Sequence, residues 1–231
     1  MTPTFPRGAT LAAAFALLAG SAFAAGLPLG IAEVDTAGLP DVGEEWLAEN
    51  PYRTADHEVW TRAIEVGESA YIQNCARCHG LGVISGGLAP DLRMLEASDY
   101  DDEWYVERFQ HGMTQDGITK MPAFGDVLSQ KTAWAIRTYV ETRPDDQAEL
   151  AESPALKELR DELDQWAKGE GTPDDAAMKA KLDEIAARIP TLSSAPQADS
   201  VAYRASSQLD GTPASYAKAA ETLTVGLSVH N

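Results

Sequence analysis

Gln73-Asn74-Cys75-Ala76-Arg77-Cys78-His79-Gly80 is the stretch that decides how the rest of the chain is read. Two thiols three residues apart, followed directly by an imidazole, form the covalent haem attachment pattern. The spacing has a chemical reason. On one tight turn, two sulfurs reach the two vinyl groups along one side of a porphyrin, and the next side chain swings beneath the iron. Cys75 and Cys78 are the only two cysteines in the chain. A redox disulfide is the competing reading of such a pair, but it needs the alternating strand and helix pattern of the thioredoxin kind, and nothing around Cys75 supplies it.

Upstream, Trp60, Ile64, Gly67 and Tyr71 fall at spacings of four, three and four, one stripe of a helix that delivers the chain to the cysteines. Downstream, Gly82, Gly86, Gly87 and Pro90 punctuate a loop from Gly80 to Arg93. A second helix is expected over Asp99–Gln110, with Asp residues as candidate N-caps, Trp104, Tyr105, Val106 and Phe109 as its apolar set, and Gly112 as its stop. Another loop holds Gly117, Met121, Pro122 and Gly125. Ser129 then caps a helix carrying Trp134, Ile136, Tyr139 and Val140 that stops before Pro144. No segment alternates convincingly, so the core is expected to be all-α.

His79 supplies one axial ligand, and the candidates for the other are Met94, Met113, Met121, His57 and His111. Met121 precedes Pro122 in a glycine-containing loop before the last core helix, where a stiffened backbone can present an apolar thioether to iron. Met113 stands eight residues upstream and remains the alternative; His111, at a helix end, reads as a capping or surface residue.

The N-terminus reads as a secretory signal with cleavage after Ala24: Arg7, an apolar run from Leu11 to Leu18, then Ala22-Phe23-Ala24. The run is too short to span a bilayer, and no later stretch is long enough, so no membrane span is expected after cleavage and the protein is placed in the periplasm. Residues 25–57 are expected to form an arm, 58–144 the haem domain, 145–190 a helical hairpin and 191–231 a linker and tail, the linker rich in Ser, Ala, Gln and Pro over 191–212 and the tail holding at best a short helix over Tyr216–Leu223. The hairpin rests on Leu156, Leu159, Leu163 and Trp166, starting at Pro154, and on Met178, Leu182, Ile185 and Ile189, stopping at Pro190. The net charge is −18, and loss of Arg7 with the signal makes it one unit more negative. Nucleic acid and anionic membranes would repel such a chain, whereas a basic patch on a protein would attract it.

The Cys75 segment, Gly87-Leu88-Ala89-Pro90-Asp91-Leu92, Met121-Pro122 and Trp134-Ala135-Ile136-Arg137-Thr138-Tyr139 together resemble a class I cytochrome c. The resemblance implies a cytochrome c-like haem domain with a C-terminal helical extension, holding one haem c. It also implies that the Pro90 carbonyl accepts the Nδ1 proton of His79, and that the first and last core helices cross where Gly67 and Tyr71 meet Trp134 or Tyr139. More narrowly, Asn50-Pro51-Tyr52-Arg53, Ser85-Gly86-Gly87 and Asp102-Glu103-Trp104 resemble the cytochromes that accept electrons from quinoprotein, pyrroloquinoline quinone (PQQ)-dependent alcohol dehydrogenases, including methanol dehydrogenases. On that likeness the donor is such a dehydrogenase and the acceptor a terminal oxidase or a second cytochrome.

Histidine and methionine together fill both axial positions, which favours outer-sphere electron transfer over ligand or oxygen chemistry and implies an electron carrier rather than an enzyme. A general periplasmic shuttle for another dehydrogenase is the alternative. A haem-based sensor or enzyme would need a labile sixth ligand. The acidic run Asp99-Tyr100-Asp101-Asp102-Glu103 is readable either as a docking patch or as a solvated helix start.

Overall fold

The computed structural model describes Met1, Ala32 and residues 34–228. The expected signal segment therefore lies, apart from Met1, outside the described residues. Helix α1 (His57–Asn74) is capped by Asp56, whose carboxylate accepts from the Val59 N–H at 3.0 Å, and it buries Trp60, Ala63, Ile64, Gly67, Ala70 and Tyr71. A single turn, α2 (Ala76–His79), follows it. Helix α3 (Asp99–His111) is capped by Ser98 rather than by an aspartate, and α4 (Gln130–Glu141) by Ser129.

Helices α1 and α4 cross at backbone distance. A Cβ added at Gly67 would lie 2.0 Å from the Ala135 carbonyl oxygen and 2.8 Å from Tyr139 Cβ. Tyr139 also stacks on Tyr71 with centroids 5.4 Å apart, so Tyr139 is the aromatic member of this contact. Trp134 turns the other way. It packs against Tyr105 of α3 at 6.2 Å, and its Nε1 donates to Gln130.

The arm wraps this core, with Leu39 and Tyr52 buried against it. It is held by a buried ionic cluster. Arg53 donates to Asp102 and Glu141 at 2.8 Å each, Arg137 Nε donates to Asp102 at 2.8 Å, and Asn50 donates to Thr138 and Glu141 at 3.0 Å. Burial raises the Glu141 carboxyl, opposed by its bond from Arg53. Asp102 is thus a fully buried counter-ion and not part of any docking patch, which corrects the reading of residues 99–103 as one surface run. Truncating one member of a buried pair strands the other charge, so Asp102→Ala should cost about 3–5 kcal/mol, read as a drop in the denaturation midpoint.

Beyond Pro144 the structure corrects three expectations. Helix α5 (Asp146–Ala167) begins at its Asp145 cap, so Pro154 sits inside the helix and not in its first turn. The Asp145 carboxylate satisfies the Gln147 and Ala148 N–H groups, a cap that the apolar stripe starting at Leu156 did not reveal. Residues 191–228 are more than a linker with one short helix: they carry α7 (Val201–Ser207), and the helix expected over Tyr216–Leu223 runs as α8 from Pro213 to Ser228. The alanines that gave the segment a low-complexity look, Ala202, Ala205, Ala219 and Ala220, are buried and let helices approach closely. In consequence α5 packs chiefly on α8, and α6 (Asp175–Ala186) on α7, so the expected self-packed hairpin is half of a four-helix module.

This module is stitched to the end of α4. The Asp199 N–H donates to Thr142 O at 2.8 Å, the Asp145 N–H to Pro190 O at 2.8 Å, and Arg143 Nη2 to Asp199 at 2.5 Å. Tyr203 bridges the two cores, packing its edge on Trp60 at 5.4 Å. No helix of the described residues is long and apolar enough to cross a membrane.

Candidate functional site

The last turn of α1 hands the backbone directly to the cysteines. The Cys75 N–H donates to Tyr71 O at 2.8 Å, and the Cys78 and His79 N–H groups both donate to Cys75 O, at 3.1 and 3.0 Å. One helical turn therefore carries both thiols and the imidazole. Cys75 is half-buried and Cys78 exposed, both as free thiols. Burial, and secondarily Cys78, pushes the Cys75 thiol up to about 12. Gly80 ends the turn at φ 88°, where an added Cβ would lie 1.8 Å from Ile84 O. Tyr71 Oη donates to Gly80 O at 2.8 Å and ties the turn back to the helix crossing.

His79 Nδ1 lies 2.9 Å from Pro90 O. A carbonyl only accepts, so this contact assigns the ring proton to Nδ1 and leaves the Nε2 lone pair free to bind a metal. Beyond Pro90, Asp91 forms a two-pronged pair with Arg93, Nε to Oδ1 at 3.0 Å and Nη2 to Oδ2 at 2.7 Å. The bond from Arg93 holds the Asp91 carboxyl below its usual range.

The expected loop around Met121 is a β-hairpin, β1 (Met113–Gln115) and β2 (Ile118–Met121). Its turn is Asp116-Gly117, both residues left-handed at φ 52° and 74°, a strong two-residue hairpin signal that strands this short and exposed did not reinforce. The register pairs Met113 with Met121. Met121 is partly buried against the first core, while Met113 and Met94 are exposed. An added Cβ at Gly112 would lie 2.4 Å from Met121 O, and the Phe124 N–H donates to Phe109 O at 2.8 Å, so α3 fixes both ends of the Met121-Pro122 step. Of the histidine candidates, His57 bonds through Nδ1 to Tyr203 Oη at 2.9 Å, towards the extension, and His111 ends α3 in solvent.

The donor set suits a covalently held iron porphyrin: two thiols on one turn, an imidazole with a free Nε2 and a thioether on a rigid hairpin. Leu81, Ile84, Leu88, Met113 and Ile118 stay exposed in the segments flanking these donors, apolar surface of the kind that an apolar partner group would cover. Sequence reasoning missed the grip of Tyr71 on Gly80 and the pairing around Arg93. The Asp91-x-Arg93 spacing was visible but has no specific signature.

A family model described as cytochrome c oxidase, cbb3-type, subunit III matches residues 62–140. Cytochrome c550 of Pseudomonas aeruginosa is 52% identical over 111 residues, 47% of this chain and 74% of that protein. Quinohemoprotein alcohol dehydrogenase ADH IIB of Pseudomonas putida is 39% identical over 82 residues, 35% of this chain and 11% of that protein. The cbb3-type cytochrome c oxidase subunit FixP of Rhizobium meliloti is 32% identical over 91 residues, 34% of this chain and 29% of that protein. No solved structure matches the chain. The attachment turn, the helical core around it and the extent of the likeness to cytochrome c550 agree, and the chain belongs to the class I c-type cytochromes, electron-transfer proteins that carry covalently bound haem c.

Proposed function

We propose that Cys75 and Cys78 hold the haem, that His79 and Met121 are its axial ligands with Pro90 orienting His79, and that the protein takes single electrons from a PQQ-dependent alcohol dehydrogenase in the periplasm. It passes them to a terminal oxidase or a second cytochrome. The observation that carries the site is the 2.9 Å contact of His79 Nδ1 with Pro90 O, because it readies Nε2 as a ligand on the same turn as both thiols. Bound there, the haem supplies reversible one-electron storage without an open coordination position.

The chain's own residues do the rest. Helix α1 fixes the thiols, Pro90 fixes the imidazole tautomer, and the hairpin holds the thioether. The donor assignment is supported by the similarity to a portion of a quinohemoprotein alcohol dehydrogenase, and the acceptor assignment by the similarity to cbb3-type oxidase subunits. Residues 69–90 contain Arg77 as their only charged side chain, in a protein of net charge −18. The attachment segment is therefore free of acid within a strongly acidic chain. That arrangement suits attraction from a distance to a basic partner, followed by apolar contact.

Salt tests the partner. Reduction by a purified PQQ-dependent alcohol dehydrogenase from the same cell should be fast at low ionic strength and slow as ions screen charges beyond about 8 Å. Asp99→Asn with Glu103→Gln, both exposed, should flatten that dependence more than Glu158→Gln with Glu170→Gln in the extension. Failure of the dehydrogenase to reduce the cytochrome at any salt, with ready reduction by another periplasmic dehydrogenase, would establish the general shuttle instead.

A further inference from the structure

The four-helix extension lies outside residues 62–140, which match the family model, yet its Asp146 reaches the candidate ligand loop through Arg93. Arg93 is 6% exposed, and its guanidinium is shared. Two of its nitrogens hold Asp91, and the third, Nη1, donates to Asp146 Oδ2 at 2.8 Å. Asp146 is the first residue of α5. The two residues before it are tied down: Pro144 bridges to Thr191, and the Asp145 N–H donates to Pro190 O. At the other end, Asp91 follows Pro90, whose carbonyl sits on His79 Nδ1.

The loop between them is rich in glycine, with Val83 buried as its anchor. An added Cβ at Gly82, Gly86 or Gly87 would meet nothing within 4 Å, and Ser85 closes the far end, its Oγ donating to Ala89 O and accepting from the Gly87 N–H. A planar guanidinium clamped on both sides fixes the direction as well as the position of what it holds.

We propose that Asp146 is a positioning residue: through Arg93 and Asp91 it holds the Pro90 carbonyl on His79, so that the extension sets the reduction potential of the haem. This rests on His79 being the axial ligand. A carbonyl held on Nδ1 makes the imidazole a stronger donor, which favours the oxidised iron and keeps the potential down. Loosening the clamp weakens that bond and lets the potential rise.

Removing a nearby negative charge would also raise the potential, so the test has to separate clamp from field. Asp146→Asn removes the charge but keeps an oxygen that can accept from Arg93, whereas Asp146→Ala removes both. On the full-length holoprotein, Asp146→Ala should raise the midpoint potential. It should also speed exchange of the His79 Nδ1 proton, followed by NMR, about ten-fold, the factor expected from loss of one charge-assisted hydrogen bond. Asp146→Asn, which loses only the charge, should raise the potential less than Asp146→Ala and leave the proton exchange near the parent value. Equal shifts in the two variants would reduce the effect to a field, and an unmoved potential in Asp146→Ala would remove it; either result overturns the proposal. The His79 assignment is tested separately. If His79→Ala keeps a low-spin spectrum with both axial ligands in place, that assignment fails whatever Asp146 does.

Discussion

Gly67→Ala is expected to destabilise the haem domain by about 3 kcal/mol, lowering its melting temperature by roughly 10 °C or more. The new methyl carbon would stand 2.0 Å from a backbone carbonyl oxygen of α4, and no rotamer of any neighbour relieves that contact. The helices must separate, and the stacking of Tyr71 on Tyr139 goes with them. Because Tyr71 also holds Gly80, the damage reaches the His79 turn. Gly86→Ala is the matched control, since an added Cβ there meets nothing within 4 Å. Equal melting curves for the two variants would mean that α1 and α4 do not cross at backbone distance.

Met121→Ala should convert the iron to a five-coordinate or water-ligated form with a lower potential and rapid binding of carbon monoxide or cyanide. The hairpin explains why the effect should be specific. Met113 and Met121 are cross-strand partners, but Met121 packs on the core and continues into Pro122, while Met113 is exposed. Met113→Ala should therefore keep the thioether charge-transfer band that Met121→Ala loses. The reverse pattern would reassign the ligand.

Much of this architecture was legible in the sequence wherever a local pattern and its energetic reason coincided. The stripe from Trp60 to Tyr71 marked α1 because its spacing lays one apolar face on the core, and Ser129 marked the start of α4 because its side chain caps the Thr132 N–H. The site was legible for the same reason: the chemistry of attachment requires its thiols and imidazole on one turn.

What was not legible depends on residues far apart in the chain. Asp102 looks like one acid among four until Arg53 and Arg137 are brought against it. Residues 191–212 read as a linker, hiding α7, because small residues give no periodic signal, although close helix packing is what small residues permit. The pairing of Arg93 with Asp146, across 53 positions, is a product of tertiary structure alone.

Intact-protein mass, measured on chain produced with a c-type maturation system, tests the central claim most directly. The expected mass is that of the polypeptide plus one haem that survives denaturation, and the increment should be lost when Cys75 and Cys78 are both replaced by alanine. A haem-free chain lighter by two hydrogens, joined by a Cys75–Cys78 disulfide, would contradict it.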